Sequence, residues 1–347
     1  MTKRILIICL TVAALSANNA MASRARTLVF GTGDGGVGIL DAQGTSGSFF
    51  VDDAYNMNYN PAYVNDYTNW VTLERDINSS TAGNVSMGGI VTNFGSFNLG
   101  VFMNRQNDLP AYGTAANMRP LEVIFGGDHG VKWGVGLGYA AAKNGDNSDT
   151  DLDLKAGVSV ANFEPFLHFK VLGKEKVPAV DLTHQKIAAG LRYHWGEWSP
   201  VVAWRKDSIK DGISNNRYGL AINRNTTVGE GVKLSYNIGL FKHVSKNTGS
   251  TASTNRTVVP LNVAAEGDFF SWWTMRAGFG YNVYDQNHQV TTANAMNANF
   301  GSTWKFGPVD LDWVIGGSTS ADANNNLEDD FGVNDGFFTA ASLTYTW

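Results

Sequence analysis

Eight basic side chains, Lys132, Lys155, Lys170, Lys186, Arg192, Arg205, Lys233 and Arg276, fall at alternate positions of their segments. Asp151, Asp153, Glu164, Asp310 and Asp312 fall the same way, with apolar or small residues between them. In an extended chain such charges gather on one face. There they can pair across neighbouring strands, or line a wet cavity whose slight basic excess favours anionic solutes. They do not assemble an acid–base or nucleophilic site. His129, His168, His184, His194, His243 and His288 form no HExxH pair and have no Ser or Asp partner at a hydrolase-like spacing. Asp329, Asp330 and Asp335 lack the spacing of an EF-hand and read as a solvated acidic loop. No metal, cofactor or enzymatic activity is expected.

Extended segments must carry this charged face. Val131, Trp133, Val135, Leu137 and Tyr139 alternate with Lys132, Gly134, Gly136 and Gly138, and Val309, Leu311, Trp313 and Ile315 alternate with Asp310 and Asp312. Period two with one apolar face is the strand signature. It recurs from Trp70 onward and predicts about sixteen strands, the first near 68–77 and the last near 336–347. Three of those between are placed near 150–161, 163–172 and 184–195; loss of one faint hairpin would leave fourteen. Most links after even-numbered strands are tight: Phe94 to Phe97, Gly127 to Gly130, Trp195 to Trp198, Phe306 to Pro308. Most after odd-numbered strands are longer and polar, as from Asn107 to Met118, Lys246 to Asn255 and Thr319 to Asp335. Short turns at one rim and long loops at the other predict an all-β fold, a transmembrane antiparallel up-and-down β-barrel. A lone charge on the lipid side costs about 2–4 kcal/mol near the midplane, so the ionic face is expected to line the lumen. Trp70, Trp133, Trp195, Trp198, Trp272, Trp273, Trp304 and Trp347 are expected at the height of the short turns, as an interfacial girdle.

The ends and the composition agree. Lys3 and Arg4 precede the apolar run Ile5 to Leu15, and Ala20-Met21-Ala22 offers a small-x-small cleavage site, the pattern of a secretory leader cut after Ala22. The only cysteine, Cys9, lies within that leader, so disulfides and thiol chemistry are not expected. The chain carries 26 basic and 31 acidic residues; without Lys3 and Arg4 the balance is 24 against 31, which argues against nucleic acid as a partner. No stretch approaches the roughly 18–20 apolar residues of a spanning helix.

At the carboxy terminus, Ala341, Leu343, Tyr345 and Trp347 alternate with Ser342, Thr344 and Thr346. An amphipathic strand ending in an aromatic resembles the insertion signal of bacterial outer-membrane barrels, Trp347 standing where Phe is commoner. The resemblance implies a place in outer-membrane lipid and recognition by the barrel-assembly machinery.

Residues 23–67 fit no strand register. The glycines between Gly31 and Gly38 lack the Gly-Lys-Ser/Thr of a phosphate loop. Asp52, Asp53, Ala54, Asn56, Asn60, Pro61 and Ala62 resemble the plug segment of the long-chain fatty acid transport family, which implies an amino-terminal hatch inside a barrel that conducts hydrophobic molecules. The expected strand count exceeds that family's. The anticipated organisation is therefore a leader at 1–22, a plug at 23–67 and a barrel at 68–347. The leading expectation is an outer-membrane pore admitting small solutes through a polar lumen, gated by the plug. A hydrophobic-substrate transporter and a structural or surface-interaction barrel are the alternatives.

Overall fold

The computed structural model describes residues 23–31, 37–40, 47–78, 86–104, 120–178, 180–229, 231–247, 253–287, 296–319 and 338–347. The leader and its cleavage site, the glycines 32–36, most of the loops at 105–119 and 320–337, and His288 lie outside these residues.

Sixteen antiparallel strands close into a barrel. They are β1 (Trp70–Asn78), β2 (Ser86–Phe94), β3 (Phe97–Met103), β4 (Leu121–Asp128), β5 (Lys132–Asn144), β6 (Asn147–Ser159), β7 (Phe163–Val177) and β8 (Val180–Tyr193). They continue with β9 (Trp198–Ile209), β10 (Ile213–Val228), β11 (Val232–Asn247), β12 (Ser253–Phe270), β13 (Trp273–Asn287), β14 (Met296–Phe306), β15 (Val309–Thr319) and β16 (Phe338–Thr346). Closure is made by β1 against β16, with Trp70 opposite Thr346 and Leu73 opposite Leu343. On the inner side of that seam the Thr72 and Thr344 hydroxyls lie 3.2 Å apart. A closed sheet leaves no unpaired edge, so its backbone can sit in hydrocarbon without helices. Among the described residues no helix is long and apolar enough to cross a membrane.

The alternation of the sequence becomes the two faces of the wall. In β5, Val135, Leu137 and Tyr139 are exposed outside, while Gly134, Gly136, Gly138 and Ala140 are buried inside. At the seam, Leu343, Tyr345 and Trp347 point outward and are about half exposed, while Ser342 and Thr344 are buried.

Two expectations are corrected. The links after β5, β7 and β9 are as short as the turns at the opposite rim, because the strands there run on past the expected ends. β6 begins at Asn147, β7 reaches Val177 and β8 starts at Val180, so polar stretches that read as loop are paired wall. The barrel is thus taller on this side: β7 has 15 residues and β12 has 18, against 7 in β3. The second correction is Trp70. It is only 1% exposed and faces inward, its Nε1 donating to the Tyr67 carbonyl at 3.2 Å and its ring 6.0 Å from Phe102. Trp195, Trp198, Trp272 and Trp347 are exposed near the turn rim, and Trp133, Trp273 and Trp304 are half-buried there. The girdle therefore lacks Trp70, which the register opposite the inward Val91 turns into the lumen.

Ahead of β1 the chain forms a short helix α1 (Arg24–Phe30) and two 3-10 turns, Ala54–Asn58 and Pro61–Asn65. Each 3-10 turn is capped from its own sequence. Asp53 accepts from the Tyr55 amide at 2.9 Å. Asn60 accepts from the Ala62 amide at 3.2 Å, with Pro61 supplying a fixed φ at the first helical position.

Candidate functional site

The described parts of the amino-terminal segment touch inward-facing residues of strands all round the barrel, and so are enclosed by the wall. The turn Pro61–Asn65 lies against β3 to β6 near the turn rim. There Asn65 donates to the Trp133 carbonyl at 2.9 Å, and Asn98 donates to Asn65 at 2.8 Å. Gly134 and Gly157 make this approach feasible: a Cβ on Gly134 would collide with the Pro61 carbonyl, and one on Gly157 with the Asn60 amide. Further round, Asn223 and Asn225 both donate to the Phe50 carbonyl, at 2.7 and 2.9 Å, and Arg205 donates to the Gly38 carbonyl at 3.1 Å. Asn299 donates to the Leu28 carbonyl at 2.9 Å. Between these contacts Phe49, Phe50, Met57, Tyr59 and Tyr63 form an apolar cluster with the inward-facing Phe102, Phe166 and Phe241.

Two buried ionic clusters anchor the segment to different parts of the wall. In the first, Arg192 of β8 donates to Glu164 of β7 at 2.8 Å, to Asp52 and to the Tyr63 hydroxyl. Tyr63 in turn donates to Glu164 at 2.9 Å, and His194 lies 3.0 Å from Glu164. In the second, Arg26 of α1 grips Glu266 of β12 with two bonds, at 2.8 and 3.1 Å. Arg26 also reaches Asp53 at 3.4 Å. Arg276 of β13 shares Glu266 and donates to Asp312 of β15 at 3.1 Å.

The electrostatics of the segment follow from this packing. Burial pushes Asp53 up to about 6, with Arg26 opposing the rise. Desolvation by the surrounding wall acts on Asp52 in the same sense although its side chain still reaches solvent, but the Arg192 guanidinium outweighs it and holds the carboxyl at about 2. Burial likewise lifts the Tyr59 and Tyr63 hydroxyls well above the ordinary phenol value.

The charged residues singled out in the sequence sit as follows. Lys155, Lys170, Lys186, Arg192, Arg205, Arg276 and Asp312 are buried on the inner face. Lys155 bonds Glu122 at 2.6 Å, and Lys170 bonds Asp151 at 2.6 Å with Asp153 at 3.4 Å. Arg205 holds Asp207 at 2.9 Å, and Lys186 is in register with the same Asp207. Lys132 pairs with Asp66 near the turn rim; Lys233, also there, is more exposed and lies 3.7 Å from Glu266. Asp310 is half-buried near the same rim. Of the segment residues, Asp53, Asn56, Asn60, Pro61 and Ala62 are buried, and Asn56 braces the chain by donating to the Val51 carbonyl at 2.7 Å. The 59% exposure of the Asp52 side chain leaves it open to lumen solvent.

Arg26, Tyr63, Glu122, Glu175, Asp207 and Glu266 were not singled out in the sequence. Alternation alone would have placed Glu122 and Glu266 on the inner face, since each stands two residues from a small or apolar inward residue, Ile124 and Ala264. With these acids included, the basic excess expected of the lumen is offset. Among the described residues no group of His, Cys, Asp or Glu is arranged to hold a metal ion.

No protein-family model and no curated protein matches the chain. The resemblance of the Asp52 to Ala62 stretch to the long-chain fatty acid transport family is thus not shown by these comparisons. Among solved structures the chain is similar to a bacterial polysaccharide outer membrane secretin, at 9% identity over 81% of this chain and 98% of that one, with a TM-score of 0.57. It is also similar to the CymD monoaromatic hydrocarbon channel, at 12% identity over 92% and 98% with a TM-score of 0.45. A third is an anion-selective porin from Comamonas acidovorans, at 11% identity over 81% and 99% with a TM-score of 0.42. At 9% identity the likeness to the first of these speaks for the fold alone, and it agrees with the closed sixteen-stranded antiparallel β-barrel.

Proposed function

We propose that this chain is an outer-membrane pore for small solutes, with residues 23–67 as a plug that gates it. The leader at 1–22 fits export, and Leu343, Tyr345 and Trp347 fit recognition by the barrel-assembly machinery. One observation carries the reading. The wall is apolar outside and ionic inside, while the described part of the segment crossing the lumen is held mainly by side-chain contacts, not by strand pairing into the sheet. Such an insert can shift or leave without opening the barrel. Because most lumen charges are paired, the wall is close to neutral and selectivity between small anions and cations is weak.

Planar-bilayer recordings on the full chain and on a form lacking 23–67 test this. The full chain conducts in small steps, and the shortened form conducts several-fold more. Equal currents would remove the plug from the mechanism, and silence in both would remove the pore.

The apolar cluster of Phe49, Phe50, Tyr59, Phe102, Phe166 and Phe241 favours a second reading, a transporter of hydrophobic substrates. A lipid or detergent molecule bound in the lumen of a barrel that passes no current would support it.

A further inference from the structure

The outer surface of the wall carries its charge on one arc. Among the described strand residues of β5 to β11, the outward-facing charges are Lys143, Lys174, Lys176, Lys206, Lys242 and Lys246, with Asp181 as the one acid and Arg224 near the turn rim. Over the rest of the described strands, Arg75 of β1 is the one charged side chain facing out.

The lysines follow a rule. On each of four successive strands rising to the loop rim, a lysine is the next outward residue after an apolar or small one, and on β11 the outward Val244 follows it before Lys246. Lys143 follows Ala141, Lys174 follows Leu172, Lys206 follows Trp204 and Lys242 follows Leu240. The descending strands between them set small polar side chains beside some of the lysines, while Ile187 stands opposite Lys206 and Tyr218 opposite Lys242. Ser148 pairs with both Lys143 and Lys176, Asn216 with Lys206, and Ser214 with Lys246. All six lysines are exposed, and none makes an ion pair with a described residue. Six exposed lysines toward the loop ends of four strands, with some hydroxyl and amide donors among them, make a cationic shelf at the loop end of the outward apolar face. The extra height of the wall on this side supplies the surface for it.

We propose that this shelf binds the phosphate groups of anionic glycolipids in the leaflet at the loop rim. The inference rests on the barrel spanning a membrane and not on what passes through it. Lysine stems lie along the apolar band while their ammonium groups reach headgroup height. Cations clustered there attract anionic headgroups, and neighbouring hydroxyls and amides complete the shell around phosphate oxygens. Ordinary snorkelling of single lysines would instead show no preference for phosphate.

The test uses the full chain in phosphatidylcholine nanodiscs containing diphosphorylated lipid A, with bound lipid counted by native mass spectrometry. The natural protein retains lipid A, while a variant carrying Lys143→Gln, Lys174→Gln, Lys206→Gln and Lys242→Gln retains about tenfold less. Arg75→Gln, on the opposite arc, and dephosphorylated lipid A serve as controls; the first keeps retention and the second loses it. Equal retention by the fourfold variant, or equal retention of the dephosphorylated lipid, overturns the proposal. An unchanged heat shift on gels shows that the variant is folded. If it does not fold, raising salt to about 0.5 M must strip lipid A from the natural protein, and salt-insensitive retention overturns the proposal just as surely.

Discussion

Asp52 and Asp53 are adjacent in the chain yet are tied to different parts of the wall. Asp52 accepts from Arg192 on β8, whereas Asp53 meets Arg26, which is itself locked onto Glu266 of β12. The two carboxylates therefore stretch the segment between two anchorages across the lumen. Their environments differ as well: Asp53 is fully buried, while Asp52 opens onto solvent. A single dipeptide thus joins a dry latch to a wet one.

Loss of Arg192 should release the wet side. Arg192 is 1% exposed and is the common partner of Glu164, Asp52 and Tyr63. Removing one member of a buried ionic group costs about 3–5 kcal/mol, because the remaining charges stay behind without compensation. Arg192→Met should lower the temperature at which the folded band is lost on gels and speed protease cleavage within the segment. Arg192→Lys should recover little, since an ammonium cannot reproduce the guanidinium fork.

A side chain at Gly134 should push the segment off the wall from the opposite direction. A Cβ there collides with the Pro61 carbonyl, which belongs to the backbone and cannot simply swing away. Overpacking of this kind costs about 1–3 kcal/mol. Gly134→Val should leave the barrel heat-modifiable but raise single-channel conductance, because the turn Pro61–Asn65 must lift. Unaltered conductance and unaltered proteolysis would mean that this contact does not hold the segment.

The barrel was legible in the sequence wherever one face met lipid. There the period-two contrast between Leu137 and Gly136, or Trp313 and Asp312, reports both the strand and its facing. It failed above the bilayer. Around Lys143 to Thr150 and Gly173 to Thr183 both faces of the wall are polar, so alternation fades although pairing continues, and paired strand reads as loop. The ionic anchors were half legible. Their strand members follow from facing alone, but the Arg26–Glu266 pair spans 240 residues and depends on how an irregular segment folds into the lumen. No local pattern encodes that. Trp70 shows the same limit, since its position near a rim suggested lipid while its register turned it inward.

Trp347 should matter for assembly more than for the finished barrel. Its ring stacks on Tyr345 at 6.1 Å on the outer surface, and its amide bonds the Asn69 carbonyl at 3.0 Å beside the seam. An exposed ring of this kind contributes little to a sheet already closed along β1 and β16. Trp347→Ala should cut the folded fraction recovered from cells while leaving the melting of the refolded, purified barrel within about 1 kcal/mol of the original. Normal yield from cells would deny the terminal aromatic its role as an insertion signal.

The dry latch should make docking of the segment depend on pH. Asp53 titrates near 6 when docked, mainly because it is buried, and near 3.8 when released into water. The docked form therefore holds the proton more tightly, so docking strengthens as pH falls from above 6 toward 4. The full effect of such a shift is about 3 kcal/mol. Asp52 acts in the opposite sense and lower down. Held at about 2 by Arg192, it favours docking above its ordinary 3.8 and gives that contribution up as pH falls toward 2. Docking is thus tightest near pH 4 to 5. Protease cleavage within 47–67 should be slowest there and should quicken between pH 5 and 7. Asp53→Asn, which keeps the shape but cannot ionise, should abolish the dependence between pH 4 and 7 while leaving the loss at lower pH. A variant that retained the full slope between pH 4 and 7 would show that another group drives it.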